Sequence, residues 1–435
     1  MDFDETVSYL LGLGHETVAV KLGLDNVTRL LARLGHPERA FPSVQIAGTN
    51  GKGSTAAMLD AVCRAAGLRA GLYTSPHLIS ITERVRVGGR ELSREAFARA
   101  ATEVRAAAEE VRRESGALAT FFEQVTAGAL VAFREARVEL AILETGMGGR
   151  LDATTAAGAS LVAVTPVALD HQEYLGGTLA EIASEKAAVV RPGARAVVAP
   201  QEPEAERVVL ARCRECGVEP RRATPDWLAV EGRCEGGRLR VRLRTGRDDY
   251  GGVCLALRGR HQLTNAAAAV ALAEALADEG FPLTREAVVA GLERAEHPGR
   301  LELDERAAPP VLLDGAHNPA GARALRAYLD EFVAAPVTMV FGAMRDKALA
   351  EIAGLLFPAA SDLILTEPRS PRAASIGELL RAVPTPTSSS TITLAPSSAD
   401  ALALARARAA AGGLVCVTGS LYLVGEVRGL LRPEA

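Results

Sequence analysis

Hydrophobic positions along this chain recur with two different periods, and each switch of period marks an element. Up to residue 40 the spacing is helical, as in Val27, Leu30, Leu31 and Leu34 before Gly35. Residues 44–47 (VQIA) read as a short buried strand, 55–66 as a helix ended by Gly67, and 68–74 (LRAGLYT) as a second strand, together one strand–helix–strand unit. Ser93 caps a helix over 94–114 with charges on most faces, as on an outer layer, and another helix covers 121–135. Continuous apolar runs at 138–143 (VELAIL) and 161–165 suit central parallel strands, and a helix follows over 179–190. From 227 to 257 the pattern alternates, in WLAVEG, RLRVRLR and VCLALRG, with turns at Gly236-Gly237 and Gly251-Gly252. An Ala-rich helix reaching Asp278 and a shorter one over 285–295 complete this part.

His297-Pro298-Gly299-Arg300 carries two helix breakers and marks a domain boundary. Beyond it, strands at 311–316, 337–343, 362–367, 391–395 and 414–420 alternate with helices at 319–332, 345–356, 376–383 and 398–411, while 384–391 (PTPTSSST) reads as a polar loop. The expected fold is therefore α/β. Residues 1–296 form a P-loop-type, doubly wound and mostly parallel sheet with a small antiparallel appendage, and 297–435 a smaller doubly wound α/β domain, hinged at about 297–300.

Composition narrows the class. The chain has 435 residues, enough for two or three domains; 48% are hydrophobic and 23% charged, a globular balance. Aromatics are only 4%, so Ala, Leu and Val must build the core. A net charge of -4 from 49 basic and 53 acidic residues gives no reason to expect a nucleic-acid partner. No run reaches the roughly 18 apolar residues of a membrane span, and the start MDFDETVSYL is acidic, so a cytoplasmic protein without a membrane partner is expected, as a monomer. Of the six cysteines only Cys213 and Cys216 form a C-x-x-C, on an amphipathic run, and with no second such pair they read as reduced thiols rather than zinc ligands.

Chemistry concentrates where strands end. Gly48-Thr49-Asn50-Gly51-Lys52-Gly53-Ser54 lies between strand and helix, where free backbone N–H groups and the positive helix end make an anion cradle. Lys52 supplies a point charge and Ser54 a hydroxyl for magnesium, pointing to an ATP site. The spacing departs from G-x-x-x-x-G-K-[ST], with two residues between Gly48 and Gly51 and Gly53 inserted before Ser54, so a ligand-free turn is the alternative. Ser75 and His77, Glu144, and Asp170-His171 all follow strands, at the edge where parallel sheets bind ligands.

The motifs GTNGKGS (48–54), TSPHL (74–78), TFFE (120–123), ETGMGGRLDAT (144–154), LDH (169–171), EKA (185–187), HQLTNAAAA (261–269), HPGR (297–300), DGAHNP (314–319) and GSLYLVGEV (419–427) come in the order shown by folylpolyglutamate synthases and dihydrofolate synthases. The chain resembles this family, within the Mur ligase superfamily, over nearly its whole length. The resemblance implies an ATP- and Mg2+-dependent amide ligase that adds L-glutamate to a folate, and also to dihydropteroate, through an acyl phosphate. By resemblance, Gly51, Lys52, Gly53 and Ser54 contact the ATP phosphates; Asn265, Arg300 and Asp314 are further ATP contacts, with His317 beside them. Ser75, Glu144 and His171 match magnesium ligands, and Lys186 a carbamylated lysine that binds a second magnesium. Thr120, Phe121, Phe122 and Glu123, with Leu151, Asp152 and Ala153, match pterin-holding stretches. Lys52, Glu144, His171, Lys186 and His317 are thus the catalytic candidates.

Each has a plainer alternative. Glu144 could be a solvated acid, His171 a loop residue, Asn265 a helix cap, Thr120 and Phe121 a helix start and its core contact, and Lys186 a surface lysine near a helix C-terminus. A monofunctional folylpolyglutamate synthase is the main competing function. A ligase for UDP-linked substrates is disfavoured because the phosphate loop begins at Gly48 and leaves no preceding UDP-binding domain, and a non-catalytic ATP-binding regulator would not need Ser75, Glu144, His171 and Lys186.

Overall fold

The structure is a computed structural model in which residues 1–14, 23–383 and 391–432 are described. The polar loop expected at 384–391 lies outside them, save Thr391, as do residues 15–22 of the N-terminal helical stretch. The chain forms two compact units: residues 1–229, 242–253 and 264–295, and residues 230–241, 254–263 and 296–435.

The first unit is built on eight strands: β1 (Ser43–Ala47), β2 (Ala70–Tyr73), β3 (Val85–Val87), β4 (Arg90–Glu91), β5 (Leu140–Glu144), β6 (Leu161–Val164), β7 (Arg195–Val198) and β8 (Arg221–Arg222). Their order is β4-β3-β2-β5-β1-β6-β7-β8. All neighbours from β2 to β8 are parallel, while β3 and β4 turn back antiparallel at the edge. The chain leaves β1 toward β2 on one side and later crosses to β6 on the other, so β1 is the switch point beyond whose carboxyl end ligands bind in such sheets. Strands β3, β4, β7 and β8 fall where the periodicity predicted none: they are short strands of two to four residues at or next to the two sheet edges, each carrying an arginine, and such strands show little apolar pattern.

Burial explains the central strands. Every residue of β1, β2, β5 and β6 is buried. One layer packs Leu30, Leu31, Val104, Leu130 and Phe133 against Tyr73 and Leu143; the other packs Ile182, Val189 and Val209 against Val162 and Val198. Truncating Leu130 to Ala would cost about 2–5 kcal/mol. The helix Lys52–Ala65 is buried almost throughout, and the helix Arg285–Arg294 presses on it so closely that a methyl at Gly291 would lie 2.5 Å from Val62 Cα.

Strands β9 (Leu228–Cys234), β10 (Arg238–Arg244) and β11 (Asp249–Cys254) form the appendage, in the order β11-β10-β9. Links this short allow only antiparallel pairing. A disulfide joins Cys234 to Cys254, whereas Cys213 and Cys216 are free thiols.

The second unit carries β12 (Glu302–Asp304), β13 (Val311–Leu313), β14 (Val337–Phe341), β15 (Asp362–Thr366), β16 (Thr391–Ala395) and β17 (Leu414–Thr418), ordered β12-β13-β17-β14-β15-β16 and parallel except for β12. Its core joins Leu312, Met339, Phe341 and Leu363 to Leu325, Leu329 and Ile352 from its helices. Among the described residues no helix is long and apolar enough to cross a membrane.

Candidate active site

The helix after β1 starts at Lys52, three residues before the apolar pattern suggested, so Lys52, Gly53 and Ser54 form its first turn rather than a loop. Gly51 makes this possible. It stands at the N-cap with φ 85°, a conformation that penalises any Cβ, and a methyl there would sit 2.1 Å from Asn265 Oδ1. Gly48 is equally constrained, with Thr165 Oγ1 1.9 Å from where its Cβ would be. The turn is pinned from below: the amides of Thr49 and Asn50 donate to Pro166 O, and the Thr49 hydroxyl donates to Ala168 O (3.0 Å) and accepts from Ala168 N (3.1 Å). The result is a rigid turn at a helix N-terminus, the geometry that binds phosphate. Lys52 Nζ donates to Thr49 O at 3.2 Å, folding back over the turn.

Lys186 is not a surface lysine. It is 4 % exposed, and its Nζ donates to Gly48 O at 3.0 Å, directly beneath the phosphate turn. Burial, and then the charge of Lys52, push its amine down to about 7, against the opposing pull of Asp170, Asp152 and Glu185. Near neutrality half of these side chains are therefore unprotonated amines, the nucleophilic form.

Glu144 ends β5 in register with Ile46 of β1 and is buried, with one carboxylate oxygen accepting from Ser75 N at 3.2 Å. This excludes a solvated acid and brings Glu144 beside Ser75. His171 has φ 51° at the start of the helix Gln172–Leu175; its amide donates to Asp170 Oδ1 at 2.9 Å and its Nε2 lies 4.0 Å from that oxygen. Left-handed backbone at a non-glycine residue is uncommon. Asn265 is the fifth residue of the helix His261–Asp278, buried with its side chain toward Gly51, so it is no helix cap.

Thr120 caps the helix Phe121–Glu135 in a reciprocal box with Glu123, whose carboxylate accepts from Thr120 N at 2.7 Å. Phe121 is buried with the Arg84 guanidinium 5.4 Å from its ring centre, and Phe122 lies 6.1 Å from Tyr73, ring to ring. Leu151, Asp152 and Ala153 follow the Gly-rich loop; Asp152 is buried and accepts from the amides of Gly146, Met147 and Thr154 and from the Thr154 hydroxyl. Desolvation nevertheless raises its carboxyl above the usual range.

In the second unit Asp314 follows β13, buried, accepting from Leu301 N (2.9 Å) and Ala316 N (3.0 Å); desolvation raises its carboxyl while Arg300 opposes the shift. Arg300 donates to Gly315 O at 3.2 Å, and His317 Nδ1 donates to the same oxygen at 2.7 Å, so these three predicted residues do converge. His261 is half-buried, pushed down to about 4 by desolvation and by Arg300, and so stays neutral.

Sequence reasoning assigned no role to Gln45, Thr49 or Arg150. Gln45 had one signal, a polar residue inside an otherwise apolar strand. Arg150 makes a paired contact with Glu185, which precedes Lys186.

Residues 46–273 match the Mur ligase middle domain and residues 299–421 the Mur ligase glutamate ligase domain. With a phosphate turn on a switch-point strand, the chain belongs to the Mur ligase superfamily. It is 39% identical over 430 residues to a bifunctional folylpolyglutamate synthase/dihydropteroate synthase of Halobacterium salinarum, covering 98% of this chain but only 51% of that one. The chain thus spans about half the length of that curated relative. It is 32% identical over 424 residues to the dihydrofolate synthase/folylpolyglutamate synthase of Bacillus subtilis, covering 96% of this chain and 97% of the relative. It superposes on the structure of Mycobacterium tuberculosis folylpolyglutamate synthase complexed with ADP with a TM-score of 0.89, 32% identity and 98% of both chains covered. The chain belongs to the folylpolyglutamate synthase/dihydrofolate synthase family of ATP-dependent ligases.

Proposed function

We propose that this protein uses ATP to join L-glutamate to the carboxylate of a folate, and likewise to dihydropteroate, acting as a cytoplasmic monomer with domains divided at about 297–300. The observation that carries the reading is the phosphate turn with Lys52 above it and the buried amine of Lys186 on Gly48 O beneath it. In this reading the amides that open the helix Lys52–Ala65, with the Lys52 ammonium, hold the ATP phosphates and orient the terminal one toward the substrate carboxylate. Phosphoryl transfer converts that carboxylate to an acyl phosphate, which the glutamate amine attacks, releasing phosphate. Asn265, Arg300, Asp314 and His317 are the further nucleotide contacts, and Thr120–Glu123 with Leu151–Ala153 the pterin-holding stretches.

The donors fit magnesium: the Glu144 carboxylate and, beside it, the Ser75 hydroxyl offer hard oxygens. A site that supplies few protein ligands and leaves the rest to phosphates and water is what Mg2+ takes, so Ser75, Glu144 and His171 would hold it. When bound it offsets phosphate charge. Lys186, with an amine near 7, reacts with carbon dioxide to give a carbamate and a proton, adding an oxygen donor to the set.

The deciding assay measures ADP and phosphate release with tetrahydrofolate or dihydropteroate plus glutamate, against UDP-muramoyl substrates. Turnover with tetrahydrofolate alone would reduce the function to folylpolyglutamate synthesis; turnover only with the UDP-linked compounds would overturn it. For the carbamate, Lys186→Ala should lose most activity and regain part of it in formate or acetate, and full activity in the variant would refute it.

A further inference from the structure

Gln45 is wholly buried in the middle of β1, yet it carries an amide among apolar neighbours. Its Nε2 donates to Thr154 Oγ1 at 3.0 Å and to Thr155 Oγ1 at 2.7 Å. Each threonine passes the polarity on: Thr154 Oγ1 donates to Asp152 Oδ1 at 2.5 Å, and Thr155 Oγ1 donates to Gly149 O at 2.6 Å. Because both hydroxyl protons go to pure acceptors, the threonines can only accept from Gln45, which fixes the orientation of its amide. The Asp152 carboxylate in turn holds the amides of Gly146 and Met147.

The far side of this loop rests on the Lys186 helix. A methyl at Gly149 would lie 2.9 Å from the carbonyls of Glu185 and Lys186, and Arg150 N donates to Glu185 O at 2.9 Å. Lys186 Nζ then returns to Gly48 O, three residues along the chain from Gln45. The contacts close a ring: β1, Gln45, Thr155, Gly149, the Lys186 backbone, the Lys186 side chain and the phosphate turn at the end of β1.

We infer that Gln45 is a positioning residue for ligation: through this ring it sets the 146–155 loop and holds Lys186 against the phosphate turn. Stability alone does not account for it. The Gln45 Oε1 is buried with no hydrogen-bond partner among the described residues, so an apolar residue of similar length would spare the fold an unsatisfied oxygen, and cores ordinarily avoid such groups.

The inference rests on the ligase reading, and the test separates the two. Gln45→Met keeps the length and removes the donor; Thr155→Val breaks the same ring one step away and serves should Gln45→Met fail to fold. Both should lower kcat for glutamate addition about tenfold or more, with KM for ATP changed less than about twofold, since misplacement of about 1 Å can cost that much in rate. The double variant should be no slower than the slower single, as for two links of one ring. Hydrogen exchange of the amides at 48–51 should quicken in either single variant, far in sequence from Thr155. A kcat within about twofold of the parent in a folded variant, or unchanged exchange at 48–51, overturns the inference. A parent enzyme without turnover overturns the ligase reading instead, and the exchange measurement then decides on the ring by itself.

Discussion

Replacing Lys186 with Met should stabilise the protein while disabling it, and should do so more at low pH. Lys186 is fully enclosed and its amine falls from 10.5 to about 7, burial being the larger cause and Lys52 the next. Between those two values the unfolded chain holds a proton on this lysine that the folded chain lacks. Stability from this group is therefore complete only above 10.5, falls as pH falls through the window, and is lost below 7. From pH 9 to pH 6 the loss is about two pH units, or roughly 3 kcal/mol. Methionine has no proton to gain, and its missing hydrogen bond to Gly48 O costs about 1 kcal/mol at every pH. The variant's advantage over the parent should thus grow by roughly 3 kcal/mol from pH 9 to pH 6. Urea unfolding in metal-free, carbon-dioxide-free buffer measures it, followed through Trp227, the single tryptophan, which lies in the same unit as Lys186. An advantage that stays constant across the range would show that the amine is not desolvated as its surroundings require.

Other outcomes follow from the same geometry. Lys52→Ala should abolish ligation while leaving the fold intact, because the hydrogen bond it loses is to Thr49 O within its own turn; a folded variant that keeps its turnover would remove it from the phosphate site. Gly51→Ala should weaken ADP binding about tenfold or more, since φ 85° costs about 1–2 kcal/mol with a Cβ and the methyl would strike Asn265; calorimetric titration with ADP reads this. His261 is neutral when folded and charges when unfolded, so stability is lost as pH falls from 6.5 to about 4. His261→Gln should lose about 2 kcal/mol less than the parent between pH 6.5 and 4.5, measured by urea unfolding.

The central strands were legible because their runs are apolar at all but one position each, Gln45 and Glu139: VQIA and VELAIL proved to be β1 and β5. The phosphate loop was legible for a different reason, as the glycines, lysine and hydroxyl needed to hold an anion are local in sequence. What sequence could not supply was depth. Nothing local distinguishes Lys186 from the exposed lysine that a helix C-terminus usually carries; its burial comes with tertiary contacts, the 149–150 loop on its helix and the phosphate turn over its amine. The helix start at Lys52 was missed because the polar residues of its first turn carry no apolar period, and the short arginine-bearing strands β3, β4, β7 and β8 were missed for the same want of pattern. Thr120 and Glu123 show the reverse case, in which residues carried over as pterin-holding also form a complete capping box.

Three features that cost folding energy meet within this one region: a lysine buried beside another lysine, a carboxyl raised by burial at Asp152, and an unpartnered amide oxygen at Gln45. Each could be removed by a smaller or apolar side chain. Burying an ionisable group costs several kcal/mol even where hydrogen bonds offset part of it, and leaving a buried amide oxygen unpaired costs about 1–3 kcal/mol, so a protein of ordinary stability would not carry two of the first and one of the second by chance of packing. Their placement is not random either, since Gln45, Asp152 and Lys186 are all joined to the loop that follows Glu144 or to the turn that follows β1. Local rules fail where chemistry needs an amine that can lose its proton and a turn that cannot move, and the violations themselves mark the working part of the fold.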